Sequence, residues 1–245
     1  MKFGFSKANL PGLKNIGLTV LSVIFLTLAF PDFDQWYFAW FAVVPLFIAI
    51  ESEKASILRS AFLGWIFGAG FLFGTCWWLT FAMITYGGIP CVGAYFLVFI
   101  IVAIVGLYFA VFGGLLSYLF RRMGSYAVFA APFVWTALEF TRYHLTFNNW
   151  NEIAYSQAFV NALIQPAQYG GIYLVGFLVL LSNSFLAFIF LPNQKTAFAL
   201  RAVPIISVLI ILCTLYFSYQ SQSASIRAAD ETVNNPKTNV VAVQG

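Results

Sequence analysis

Charged side chains in this chain fall almost entirely outside its long apolar runs, and that arrangement leaves very few folds open. The runs cover residues 16–30, 36–50, 57–83, 91–120, 126–140, 169–191 and 202–219, and the seams carry proline, glycine or basic residues. Only 8% of residues are charged, against about 25% in an ordinary soluble domain. With 62% hydrophobic residues and a mean hydropathy of +0.89, too little polar surface remains to cover a globule in water. The expected fold class is therefore all-α integral membrane, a bundle of about seven transmembrane helices.

The first apolar run has no small-residue cleavage site and leads straight into a second, so it reads as a retained helix and not a signal peptide. These two runs form a hairpin through Pro31-Asp32-Phe33-Asp34. Each spans ~22 Å as a helix, short for a hydrocarbon core of ~30 Å. Lys2, Lys7, Lys14, Lys54, Arg59, Arg121, Arg122, Lys195 and Arg201 fall on one side of the alternation; only Arg142, Arg227 and Lys237 fall on the other. By the positive-inside rule the N-terminus is cytoplasmic and the C-terminus periplasmic. Residues 1–219 then form the transmembrane domain. Residues 220–245 read as a periplasmic linker ending in the β-branched Val240-Val241-Ala242-Val243, the start of a strand. The net charge of +4 is that of loop lysines and arginines and gives no reason to expect nucleic acid. Cys76, Cys91 and Cys213 are odd in number and without ligand spacing, so they read as buried free thiols; no metal or cofactor is expected.

Residues 135–157 differ from their surroundings by holding Glu139, Arg142, His144 and Glu152 in one stretch. Glu139 and Arg142 are three apart, neighbours on one helix face. They are either an ion pair tying the fifth span to its loop or a head-group site, Arg142 being suited to phosphate by its guanidinium fork. Trp150 and Tyr155 are interfacial anchors or walls of a lipid cleft, and Ser156 and Gln157 its polar liners. His144 and Glu152 read as loop residues, Glu152 as a solvated charge, and Asp32 and Asp34 as turn residues. The pairs Gly64/Gly68 and Gly70/Gly74 allow another helix to approach closely.

Taken in order, these residues resemble the membrane half of the apolipoprotein N-acyltransferase family. The resemblance is carried by Leu28-Ala29-Phe30-Pro31 with Asp34, Trp40-Phe41-Ala42, Pro45-Leu46, the stretch from Ala61 to Gly68, Pro132, Trp135, Leu138-Glu139, Arg142, Trp150, Tyr155-Ser156-Gln157, Tyr169-Gly170-Gly171 and Asn183. Residues 240–245 look like the opening of the nitrilase-like domain that follows in that family. The resemblance implies a protein of the bacterial inner membrane that handles a phospholipid acyl donor, a diacylated lipoprotein acceptor and membrane lipids. It implies substrate or lipid contacts for Glu139, Arg142, Trp150, Tyr155 and Gln157. The family's Glu–Lys–Cys triad lies on the nitrilase-like domain, so no catalytic residue and no acyl transfer by this chain alone are expected. Phe147-Asn148-Asn149 departs from the family's Gly-Phe-Pro. Three other readings stand beside this one: a non-catalytic membrane partner of a separate nitrilase-like chain, a truncated product of a longer reading frame, and a small transporter.

Overall fold

The computed structural model describes residues 10–147, 149–192 and 202–233. Among these every regular element is helical, and no strand occurs. The α-helices are α1 (Leu13–Leu28), α2 (Val44–Ser52), α3 (Ile57–Cys76), α4 (Leu79–Thr85), α5 (Cys91–Val105), α6 (Leu107–Met123), α7 (Ala131–Thr146), α8 (Asn161–Ile164), α9 (Ala167–Phe190) and α10 (Ala202–Val233). Tighter 3-10 turns occupy Trp36–Trp40, Gly124–Ala130 and Ile153–Gln157. Pro45 and Pro132 sit in the first turns of α2 and α7, where a missing N–H costs no helical hydrogen bond.

Four stretches are long and apolar enough to cross a membrane: Ile57–Cys76, Cys91–Thr146, Ala167–Phe190 and Pro204–Ser221. Two shorter apolar stretches, Leu13–Leu28 and Trp36–Ser52, precede them. The apolar runs are less regular than their hydropathy suggests. Run 36–50 starts as a 3-10 turn and becomes α-helical only from Val44. Run 57–83 breaks after Cys76, and run 91–120 divides at Gly106. Residues 220–233, read as linker, continue α10. The expected strand at 240–243 lies outside the described residues. Cys76 is a buried free thiol as expected, but Cys91 and Cys213 are exposed on the protein surface.

The glycines of α3 explain why this helix is central. A Cβ on Gly64 would lie 2.0 Å from the carbonyl oxygen of Phe109, and one on Gly113 would lie 2.4 Å from that of Ser60. The backbones of α3 and α6 therefore touch. Gly70 and Gly74 instead face Val23 and Thr27 of α1, so the two small-residue pairs serve two different neighbours. Between α3, α6 and α7, the ring of Trp135 meets Phe67, Phe109 and Phe112 edge-on, with centroids 5.8, 5.1 and 5.1 Å away.

The irregular backbone at 36–43 is buried at Ala39, Ala42 and Val43, and two amide side chains supply partners along it. Asn183 on α9 accepts from the Val43 N–H at 2.8 Å and donates to the Ala39 carbonyl at 2.8 Å. Gln157 donates to the Trp36 carbonyl and accepts from the Trp40 indole, both at 3.1 Å. Non-helical backbone survives at membrane depth only when protein groups satisfy it in this way.

At the start of α3, Glu53 accepts from the Gly12 N–H and the Asn15 amide at 2.8 Å and from Arg59 at 3.2 Å. Burial opposes the ionisation of Glu53, yet those three donors together hold its carboxyl below the ordinary range. Arg121 donates to the carbonyls of Lys54 and Ala55, drawing the end of α6 to the same place. The basic residues of two separate loops thus meet at one end of the bundle.

Candidate lipid-handling site

The polar segment meets the other end of α3, about 30 Å away for a helix of 20 residues. Trp135, fixed among its phenylalanines, donates from Nε1 to Glu139 Oε1 at 2.8 Å. The same oxygen accepts the Ile153 N–H at 3.1 Å. One turn on, Arg142 Nη1 donates to the Trp150 carbonyl at 2.8 Å. Glu139 and Arg142 both tie α7 to the following loop, but through backbone groups; among the described residues no ion pair joins them. Gly176 lets α9 close over this arrangement, since a Cβ there would sit 3.1 Å from Ile153 and 3.6 Å from Glu139.

Two left-handed residues shape the loop. Phe147 (φ 51°) ends α7, and Asn151 (φ 59°) turns the chain back under it. That turn points the Asn151 amide at the end of α3, where it donates to Thr75 Oγ1 at 2.7 Å and Cys76 Sγ at 2.9 Å. It also carries Glu152 inward. Sequence reasoning expects a solvated charge at Glu152, whereas the structure buries it completely, with no hydrogen-bond partner for either oxygen. The backbone reversal at Asn151 is the reason, and no hydropathy pattern announces it.

Two cavities flank the loop. One, ≈ 440 Å³, is lined by Phe30, Pro31, Asp32, Thr75, Trp78, Trp150, Asn151 and Tyr155. The other, ≈ 160 Å³, is lined by Leu72, Cys76, Leu79, Ile101, Val102, Val105, Arg142, Thr146, Trp150 and Asn151. Trp150 and Asn151 wall both, and the Trp150 ring packs on Trp78 with centroids 5.5 Å apart. Mostly aromatic and aliphatic walls with a few placed polar groups are those of a pocket for an amphiphile. Of the residues singled out from sequence, Trp150, Tyr155 and Arg142 line these spaces. Glu139 and Gln157 line neither, and each spends its acceptors on holding the loop or the hairpin. His144 is exposed on the last turn of α7. Asn151, Thr75, Trp78 and Asp32 join the lining without having been singled out for it; Asn151, beside Trp150, was the nearest to a signal. The Cys76 thiol has Asn151 and Thr75 as its hydrogen-bond neighbours, and neither is a base.

Apolar helices packed through glycine, with an aromatic, sparsely polar cleft at one end, define a helical protein of the membrane class. Residues 22–185 match the family model described as the apolipoprotein N-acyltransferase N-terminal domain. The chain belongs to that family. It is similar to the apolipoprotein N-acyltransferase of Geobacter metallireducens, 30% identical over 207 residues, covering 81% of this chain and 38% of that protein. The protein of the same name from Chlorobaculum tepidum is 28% identical over 233 residues, covering 93% of this chain and 40% of that one. The Pasteurella multocida relative is 34% identical over 142 residues, 57% of this chain and 26% of its own. The chain thus spans about two fifths of the length of the first two of these relatives.

Proposed function

We propose that this chain is the lipid-handling membrane domain of an apolipoprotein N-acyltransferase system. It admits a phospholipid acyl donor and a diacylated lipoprotein from the bilayer and presents them for acyl transfer by groups outside the region described here. The observation that carries the reading is the pair of cavities sharing the Trp150–Asn151 wall, one of them facing Arg142. Acyl chains suit the aromatic and aliphatic walls, and the Arg142 guanidinium suits a phosphate. Glu139 and Gln157 act by positioning, the first holding the loop and the second the hairpin. The domain crosses the bacterial inner membrane seven times, with the Glu53–Arg121 end cytoplasmic and the cleft periplasmic. The basic residues gathered by Arg121 favour that orientation.

Photo-crosslinking tests this reading. A phospholipid carrying a photoreactive acyl chain is expected to label residues around Trp150 and Tyr155 in nanodiscs, and Arg142→Ala together with Trp150→Ala to reduce that labelling at least several-fold. Labelling spread evenly over the lipid-facing helices, unchanged in the variant, would sink the proposal. Labelling of single cysteines from the two sides of spheroplasts checks the orientation independently.

A further inference from the structure

Among the described residues, Glu152 is the one carboxylate whose two oxygens are both buried and without a hydrogen-bond partner. The titratable and charged groups bearing on it are Glu139 and Arg142 from α7 and Tyr173 from α9; Tyr143 bears in turn on Tyr173, and Cys76 at the end of α3 feels Arg142. Two acids therefore face one guanidinium in an apolar enclosure, and one negative charge would be in excess if both were ionised. Glu139 has two donors, the Trp135 indole and the Ile153 N–H. Glu152 has no donor, and an ionised carboxylate so placed is far costlier than the neutral acid. Glu152 lines neither cavity described above, and taking up a proton would remove that excess charge where it stands.

We propose that Glu152 is a proton-binding site of this domain, neutral while the loop is seated on α7, and that losing the proton unseats Trp150 and Asn151 from the wall between the two cavities. On ionisation the O–H bond of the acid breaks, the proton passes to water, and the carboxylate stays behind. That carboxylate repels Glu139 and competes with the Trp150 carbonyl for Arg142, which now holds the carbonyl at 2.8 Å. Trp150 and Asn151 immediately precede it in the chain, and Asn151 already sits at φ 59°, so the displacement is passed directly to them. Burial first, and the neighbouring Glu139 second, push the Glu152 pKa up to about 7 from an ordinary 4.5, against the pull of Arg142. The inference stands whether or not the cavities hold lipid.

Infrared difference spectra of the full chain in nanodiscs, titrated from pH ~5 to ~9, read the carbonyl stretch of a protonated acid directly. The expected result is an acid band that vanishes with a midpoint of about 7 and is missing from Glu152→Gln, which mimics the neutral state. Glu139→Gln removes the like charge and is expected to move the midpoint down. The loop is followed in a Cys91→Ser, Cys213→Ser background by maleimide labelling of Cys76. Labelling is expected to climb more steeply with pH when Glu152 is present than in Glu152→Gln, a comparison that cancels the titration of the thiol itself. Absence of a titrating acid band that Glu152→Gln removes overturns the proton site. Identical Cys76 profiles in the two proteins overturn its coupling to the loop.

Discussion

Arg142 and Glu139 do the same work from adjacent turns of α7, but they respond differently to substitution. Arg142→Ala removes a charged donor from the Trp150 carbonyl and the guanidinium that bears on Glu139 and Glu152. A loss of about 2–3 kcal/mol is expected, read as a lower thermal midpoint in detergent. Glu139→Leu leaves the Trp135 indole N–H and the Ile153 N–H unsatisfied, at about 1–3 kcal/mol each, whereas Glu139→Gln keeps an acceptor and costs less. The three-residue spacing makes the shared face of these two residues legible in the sequence. Their loop partners are not, because both are backbone groups of a segment whose path depends on left-handed φ at Phe147 and Asn151. Glu152 was misread for the same reason: a charge in a loop is ordinarily solvated, and only the reversal beside it sends this one inward.

At the scale of elements, glycine decides which helices touch. Gly64→Leu drives a side chain into the Phe109 carbonyl, so α3 and α6 must separate and little folded protein is expected by size-exclusion chromatography. Gly17→Leu, at a position with nothing within 4 Å, is expected to leave yield and thermal midpoint unchanged. The close-approach role of the α3 glycines was legible from their spacing of four; that the pairs face different neighbours was not, since spacing carries no partner identity. The short hairpin was also legible, but not the reason it is tolerated. Asn183→Leu strips partners from the Val43 N–H and the Ala39 carbonyl and is expected to cost about 1–3 kcal/mol for each. Gly171, at φ 62°, breaks α9 near its start, and Gly171→Ala is strained there.

Across the whole molecule, two buried acids at opposite ends of α3 answer pH with opposite signs. Glu53 has a lowered pKa, so its contribution is present above the ordinary 4.5 and is lost as pH falls through its folded value. Glu152 has a raised pKa, so the folded protein holds more protons than the unfolded chain between 4.5 and about 7, and the stability it supports falls as pH rises through that window. Hydrogen exchange, corrected for its intrinsic pH dependence, is expected to show faster opening around 52–60 on acidification and around 149–157 above neutrality. All-helical membrane class and family were readable from hydropathy and ordered residues, because both are spread over the chain; of the cleft, Arg142, Trp150 and Tyr155 were readable, but the walls given by Phe30, Thr75 and Trp78 were not, because they meet only where distant segments cross. That crossing has a consequence for biogenesis. The Trp36–Val43 stretch borrows its hydrogen-bond partners from Gln157 and Asn183, more than a hundred residues downstream. A ribosome that has made only the first hairpin has delivered neither, so the earliest part of the chain to enter the bilayer is among the last to mature, and nascent chains arrested before residue 183 should present it in an unfinished, protease-sensitive form.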